Sequence, residues 1–448
     1  MRLLYDIFFL IFFVVSSPYY FLRMYRRGNW RKGFDQRFGI YDRNIKQALT
    51  NRHMVWVHAV SVGEMNVCMA LIRALEPRIP NAKIVVSTTT TTGMGELLKR
   101  LPATVTKIYY PIDRRKYVNR ALSAIHPAAV ILVEAEIWPN FVQRVRSLGK
   151  PLFLVNARLS DRSYPRYKRF GFLFRKLFES FTAVEAQSQE YADKLVEVGC
   201  RPDAVHALGN LKFDCVDLTM RLDVRALLAQ LGVANDALTI VAGSTHEGEE
   251  DILVDQFLRL KTRFPKLFLV LVPRHFERAR DLGRRLAKKG LKLFFRSEAT
   301  ADLQLPPGSL DCLLVDTTGE LVSFYNHATI VFVGKSLSAI GGQNPIEPAA
   351  LGKPTVFGPN MQNFTDVVRI LRAGNGVIQV RDAAELERTF AELLADGPRR
   401  EELGRAAQRI VQQNQGAVSR TADMIIRHLV STQLYIAPPA GERTANRT

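Results

Sequence analysis

Cysteine is scarce and scattered in this sequence of 448 residues. Cys68, Cys200, Cys215 and Cys312 form no CxxC pair, which excludes a disulfide scaffold and argues against a structural zinc site. Neither a Walker A sequence nor a GxGxxG fingerprint occurs, which weakens the P-loop NTPase and dinucleotide-binding classes. There is no D-x-D triplet, the usual aid for holding a divalent metal on a nucleotide diphosphate. No apolar run reaches the roughly 20 residues of an ordinary spanning helix, and no internal repeat is visible. Negative charge is also short, with 43 Asp+Glu against 62 Lys+Arg and a net charge of +19.

What is present is a chain able to bury real cores, since 47% of it is hydrophobic and 23% charged, which excludes wholesale disorder. The positive excess is localised. Residues 1 to 220 carry a net +15, and +11 of this lies in residues 1 to 37 and 158 to 176. Something anionic is therefore expected to face the first half.

The opening segment is apolar from Ile7 to Val15 and continues through Pro18 to Tyr19, Tyr20, Phe21 and Leu22. Only Arg2 precedes this run, whereas Arg23, Arg26, Arg27, Arg31 and Lys32 follow it, the reverse of a cleaved signal peptide. Tyr19, Tyr20, Tyr25 and Trp30 suit an aromatic belt. The expectation is a retained membrane anchor over 1–27, short and spanning or lying in the interface, with the body in the cytoplasm. A buried first helix is the alternative.

Beyond the anchor, β-rich runs alternate with helical stretches, the pattern of parallel sheets covered by helices. Expected strands are 54–59, 83–88, 129–133, 152–156 and 182–185, then 238–242, 267–272, 312–315, 329–333 and 355–357. A helix over 218–231 is expected to begin the second domain. The organisation that follows is two α/β domains, 28–220 and 221–430, with a crevice between them and a flexible tail over 431–448.

Several strand ends carry chemistry. Val57-His58-Ala59-Val60-Ser61-Val62-Gly63-Glu64 runs from strand to turn to helix, so Glu64 stands where open α/β sheets bind ligands. A carboxylate there suits a general base, although the helix dipole alone also favours Glu in a first turn. An apolar strand ends in Glu134 and Glu136, and Gly209-Asn210-Leu211-Lys212-Phe213-Asp214 places Lys212 near the domain junction, where it suits a leaving phosphate. In the second half, Ser244-Thr245-His246, Pro273-Arg274-His275 and Asp316-Thr317-Thr318-Gly319-Glu320 follow strands. Gly341-Gly342-Gln343-Asn344-Pro345-Ile346-Glu347 adds flexible glycines, a helix start for an anion and, at Glu347, an acceptor for ribose hydroxyls. Nucleotide binding in this half is the combined reading.

Taken together, S-V-G-E (61–64), V-E-A-E-I-W-P-N (133–140), G-N-L-K-F-D (209–214), P-R-H (273–275), D-T-T-G-E-L (316–321) and G-G-Q-N-P-I-E-P-A (341–349) closely resemble the bacterial 3-deoxy-D-manno-octulosonic acid (Kdo) transferases, glycosyltransferase family 30. The resemblance spans nearly the whole chain. It implies a GT-B architecture of two Rossmann-like domains facing a central crevice, CMP-Kdo as donor, and lipid IVA as acceptor at the cytoplasmic face of the inner membrane. It implies no metal and no cofactor. By the same likeness Glu64 is the proton acceptor, Glu134 and Lys212 stabilise the transition state, and Pro273, Arg274, Thr318, Gly319, Glu320, Asn344, Pro345, Ile346 and Glu347 hold CMP. Anionic lipid is the expected partner of the basic segments and nucleic acid is not. The competing readings are the same architecture with another nucleotide sugar, and a non-catalytic basic membrane or polyanion binder whose segment 158–176 stacks bases.

Overall fold

The computed structural model describes residues 2–26, 31–49, 53–134, 136–160 and 163–430. Arg27, Trp30, Ala135 and the tail 431–448 lie outside the described residues.

Strand formation follows the apolar runs. In the first unit these are β1 (His53–His58), β2 (Ala82–Thr88), β3 (Thr106–Tyr109), β4 (Pro127–Val133), β5 (Leu152–Ala157), β6 (Ala183–Ala186) and β7 (Val205–Ala207). They form one sheet in the order β3-β2-β1-β4-β5-β6-β7, and every pairing is parallel. Helices cover both faces, so β4 has no polar residue between Ala129 and Val133. Val57, Ile131 and Phe153 fill one core layer, and Trp56, Leu132 and Phe141 the other.

The second unit contains β8 (Thr239–Thr245), β9 (Phe268–Pro273), β10 (Leu293–Phe295), β11 (Cys312–Leu314), β12 (Ile330–Val333), β13 (Thr355–Phe357) and β14 (Ile378–Gln379). Their order is β10-β11-β9-β8-β12-β13-β14, again all parallel. Strand order reverses between β1 and β4 in the first sheet and between β8 and β12 in the second. In open α/β sheets the crevice beyond such a switch point is where ligands bind.

The units divide at Cys215/Val216 and again at Asn414/Gln415. This differs from the expected 221–430 domain, because the last helix, Ala417–Val430, returns to the first unit. Its Ala422, Ile425 and Leu429 bury against the helix Val62–Leu75 and the first sheet. Asp214 fixes its start: Oδ1 accepts from Gly416 N at 2.6 Å and Oδ2 from Val418 N at 2.7 Å. The helix expected over 218–231 is confined to Val224–Gln230, begun by the Asp223 side chain accepting from Ala226 N.

The N-terminal segment is one helix, Arg2–Arg26. Its first turns dock on the first unit. Tyr5 donates to Asp113 Oδ2 at 2.8 Å, Asp6 pairs with Arg115 at 2.8 Å, and Phe9 meets Trp138 edge-on. A cavity of about 430 Å³ lies beside this contact, lined by Asp6, Phe9, Arg114, Arg115, Lys116 and Tyr117. Its other face leaves Ile7, Phe8, Ile11, Phe12, Val14 and Val15 exposed. Among the described residues no helix is long and apolar enough to cross a membrane, so the spanning form of the expected anchor is not met.

Candidate active site

Glu64 owes its position to a tight helix start. Beyond β1 the Ser61 Oγ accepts from Glu64 N at 3.2 Å, and Glu64 Oε2 accepts from Val60 N at 2.8 Å. This reciprocal pair resembles a capping box and holds the carboxylate at the N-terminus of the helix Val62–Leu75. The residue is only 8% exposed. Burial, reinforced by the charge of Glu134, outweighs both hydrogen bonds and pushes the carboxyl up to about 7. A group balanced between its two forms near neutral pH is suited to take a proton.

Glu134 follows β4 on the other side of the switch point, in the left-handed region at φ 60°. Its Oε1 lies 2.8 Å from Lys212 Nζ and accepts from Asn156 Nδ2 at 3.3 Å, while Oε2 lies 3.5 Å from Arg158 Nε. Asn156, also left-handed at φ 53°, is fully buried near the end of β5 and uses all four polar groups. It donates from N to Glu185 Oε2 (2.6 Å) and accepts on O from Gln187 (2.9 Å) and on Oδ1 from Leu211 N (3.1 Å), besides contacting Glu134. Asn210 completes the link, donating to Gln187 Oε1 at 2.9 Å and accepting from Lys212 N at 3.0 Å. The G-N-L-K-F-D turn is thus locked to β5 and β6 by side-chain amides, and Lys212 is delivered to Glu134. Such a saturated buried network fixes one geometry. Burial pushes the Glu185 carboxyl up to about 8.

Glu136 separates from Glu134. It accepts from Trp138 Nε1 at 2.9 Å, and its Oε2 lies 3.8 Å from Nε2 of the buried His58. Burial would raise its carboxyl, but His58 and the indole N–H outweigh this and hold it below the usual carboxylate range. His58 is itself anchored to Ser87 and stacks on Tyr110 at 3.8 Å between centroids.

In the second unit, the β8 and β12 ends are joined by one fully buried carboxylate. Glu249 Oε2 accepts from His246 N (2.9 Å) and Lys335 N (2.7 Å), and Oε1 from Ser336 N (2.7 Å) and Leu337 N (2.8 Å). Arg274, exposed just beyond β9, donates its backbone N–H to Thr245 O at 3.0 Å. Pro273 is the buried last residue of that strand. Thr318 and Gly319 form an exposed turn beyond β11, with Gly319 at φ 88°, and Glu320 is held by Arg296 at 2.9 Å and by Thr317.

The loop after β12 folds back so that Gly342 N donates to Lys335 O at 2.8 Å and Gln343 N to Gly334 O at 3.2 Å. Asn344 Nδ2 donates to Glu347 Oε1 at 3.1 Å, and Asn344 Oδ1 accepts from Ile346 N at 3.0 Å. Ile346 has its side chain in the core at 1% exposure and its N–H bonded to Asn344, and Pro345 is buried as well.

Each sheet therefore gathers its own set of expected residues: Glu64, Glu134 and Lys212 at the first, the Arg274, Glu320 and Asn344–Glu347 loops at the second. Asn156, Arg158, Glu185, Gln187, Glu249 and Lys335 escaped sequence reading. The available signal for Asn156 was that it is the polar residue closing an otherwise apolar run, Leu152 to Val155. In the basic segment, Tyr167 and Phe174 pack together at 5.0 Å and Tyr167 on Phe178 at 5.2 Å, so they are unavailable for base stacking. Phe170 and Phe172 remain exposed, the latter at 73%.

Comparison with known proteins adds a relationship. Residues 32–215 match a family model described as 3-Deoxy-D-manno-octulosonic-acid transferase (kdotransferase). The 3-deoxy-D-manno-octulosonic acid transferase of Bordetella pertussis is 31% identical over 91% of this chain and 96% of that protein. The protein of the same name from Haemophilus influenzae is 30% identical over 89% of this chain and 92% of its own. Among solved structures, a glycosyltransferase from Rickettsia africae superposes with a TM-score of 0.55 at 13% identity, covering 85% of this chain and 99% of that one. The UDP-GlcNAc 2-epimerase of Neisseria meningitidis gives 0.56 at 13% identity over 84% and 100%. These two likenesses establish the fold alone, a pair of Rossmann-like sheets of GT-B type.

Proposed function

The chain belongs to the 3-deoxy-D-manno-octulosonic acid transferase family, and on that basis we propose that it moves Kdo from CMP-Kdo to lipid IVA by an inverting, metal-independent step with Glu64 as the general base. It is a glycosyltransferase of lipopolysaccharide biosynthesis. The observation that carries the mechanism is the buried Glu64 carboxyl, pushed up to about 7 beside a strand-order switch point.

In an inverting transfer the acceptor oxygen attacks the anomeric carbon as the bond to the CMP phosphate breaks. Glu64 receives the acceptor's proton as this C–O bond forms, so one base suffices and no covalent enzyme intermediate is required. Departure of CMP leaves positive charge on the sugar and negative charge on the phosphate, as in other oxocarbenium-like chemistry. Glu134 answers the first and Lys212 the second, and their 2.8 Å contact keeps both charges preorganised. In the second unit Arg274, Glu320, Asn344 and Glu347 make the CMP site, Glu347 through ribose hydroxyls. Its carboxylate is oriented by Asn344 at 3.1 Å.

The Arg2–Arg26 helix, docked by Tyr5 and Asp6 with a row of exposed apolar side chains opposite, supports an interfacial seat on the cytoplasmic face of the inner membrane. The basic residues Arg166 and Arg169 with the exposed Phe170 and Phe172 would add an attraction to anionic lipid.

Purified protein incubated with radiolabelled CMP-Kdo and lipid IVA is expected to form labelled lipid. Glu64→Gln is expected to lower turnover by about two orders of magnitude while CMP still binds. No transfer by the wild type would refute the reading, and a Glu64→Gln enzyme at wild-type speed would remove Glu64 from the mechanism. Substituting UDP-sugars for CMP-Kdo in the same assay tests the alternative donor.

A further inference from the structure

Lys335 occupies a place where glycine would be the easier residue. It stands two residues beyond β12, after Gly334, and has φ 55°, a conformation L side chains seldom adopt. Backbone outliers of this kind persist only where the surroundings enforce them, and they collect at ligand sites. Here the enforcement is visible. The N–H groups of Lys335, Ser336 and Leu337 all converge on the buried Glu249 carboxylate, and Lys335 O accepts from Gly342 N. Glu249 also accepts from His246 N, so it ties the β8 and β12 ends together at the point where strand order reverses.

The Lys335 side chain lies across the glycine loop. A β-carbon placed on Gly341 would sit 3.3 Å from the Lys335 ammonium, so the missing side chain at 341 is what gives the lysine its course. Lys335 is half-buried, and no carboxylate lies within ion-pair distance of it among the described residues, since the nearby Glu249 is spent on four backbone N–H groups. Burial lowers the His246 pKa and the charge of Lys335 adds to this, which puts the lysine in electrical contact with the β8 end as well. A cation held at a switch point, over flexible glycines, without an internal counter-charge, calls for an external one.

We infer that Lys335 is an oxyanion-binding residue of the donor site, meeting the phosphate monoester of a nucleoside monophosphate. The inference rests on the reading of this unit as the CMP-binding one and adds to it the residue that reads phosphate charge. A lysine acts as a point charge, so its contribution grows with phosphate charge and is absent for the bare nucleoside.

The test is calorimetric titration of the full chain with cytidine and with CMP. Wild type is expected to prefer CMP. Lys335→Met is expected to weaken CMP by about tenfold or more while cytidine stays within about twofold. Lys335→Gly is expected to lose the same CMP affinity yet melt at a higher temperature, because it relieves the left-handed backbone; that pairing separates a lost ligand contact from a damaged fold. Unchanged CMP affinity in a folded Lys335→Met protein overturns the inference while leaving the donor reading intact. A deficit seen with CMP-Kdo but not with CMP assigns the ammonium to the sugar carboxylate and overturns the phosphate assignment. A wild type that binds neither ligand overturns the donor reading and this inference with it.

Discussion

Lys212 Nζ and Glu134 Oε1 stand 2.8 Å apart at the carboxyl edge of the first sheet, one delivered by the turn after β7 and the other by a left-handed residue after β4. Glu134 acts on Glu64 through space, and Lys212 is the ion-pair partner of Glu134. The charge of Glu134 helps to raise the Glu64 carboxyl, and Lys212 partly offsets that charge. Removing either partner should therefore move the base in a known direction. Glu134→Gln is expected to shift the acidic limb of the kcat/KM profile to lower pH, and Lys212→Met to shift it to higher pH. Each is also expected to lower kcat by about two to three orders of magnitude, roughly the loss on deleting one transition-state electrostatic contact. Limbs that do not separate in opposite directions would detach the pair from Glu64.

The wild-type acidic limb should itself lie near pH 7, because only ionised Glu64 accepts a proton and its carboxyl is pushed up to about 7. Activity is expected to fall about tenfold per pH unit well below that point and to level above it. A plateau continuing unbroken to pH 5 would exclude Glu64 as the titrating base.

The same burial has a cost in stability. Folding raises the Glu64 carboxyl from 4.5 to about 7, so over that range the folded protein holds a proton the unfolded chain has released. Its contribution to stability is fully present below about pH 4.5, declines as pH rises through 7, and is then flat. Glu64→Gln, which keeps an acceptor for Val60 N and cannot ionise, is expected to stabilise the protein at pH 8 by on the order of 1–3 kcal/mol. Thermal melts at pH 5 and pH 8 check this: the gain should appear at the higher pH and shrink at the lower. An inactive yet more stable variant is the mark of a functional rather than a structural carboxylate.

Asp214 links catalysis to architecture, since the turn that carries Lys212 ends in the side chain that caps the last helix at 2.6 and 2.7 Å. Asp214→Ala is expected to cost about 1–3 kcal/mol in denaturant unfolding and to lower kcat more than it raises KM for CMP-Kdo. Unchanged stability would mean the returning helix is held without its cap, by its apolar face and the Arg78–Asp423 and Arg420–Leu208 contacts.

The interior of both sheets was legible in the sequence because parallel strands buried on both faces read as uninterrupted apolar runs. All ten strands expected from such runs are found. The four missed strands, β3, β7, β10 and β14, are the four sheet edges, each of only two to four residues, too short for periodicity to mark. Glu64, Glu134 and Lys212 were visible as strand-end and turn residues, but their mutual distances were not, because Asn156 and Asn210 connect them through contacts distant in sequence. The last helix was misassigned for the same reason: its apolar face carries no label saying which unit it will cover, and the contacts that tie it to the first, Asp214 at its start, Arg78 with Asp423 and Arg420 with Leu208 O, are all distant in sequence.

Membrane association is the remaining expectation, and its two contributions can be separated. Phe8 and Phe12 lie one turn apart on the exposed face of the first helix, away from the Tyr5, Asp6 and Phe9 contacts that dock it. Their removal should weaken binding to any bilayer, since burying such a side chain is worth about 1.5–3 kcal/mol. In the basic segment, Lys168 is already paired with Glu197 at 2.7 Å, so Arg166 and Arg169 should carry most of the attraction to anionic lipid, at about 1 kcal/mol each near the surface. In vesicle co-sedimentation, Phe8→Ser with Phe12→Ser is expected to reduce binding to neutral and anionic vesicles alike. Arg166→Gln with Arg169→Gln is expected to reduce binding to anionic vesicles only, with an effect that disappears in high salt. Lys168→Gln should change little. If the double arginine variant sediments like wild type on anionic vesicles, the charge concentrated in residues 158 to 176 serves something other than a lipid surface.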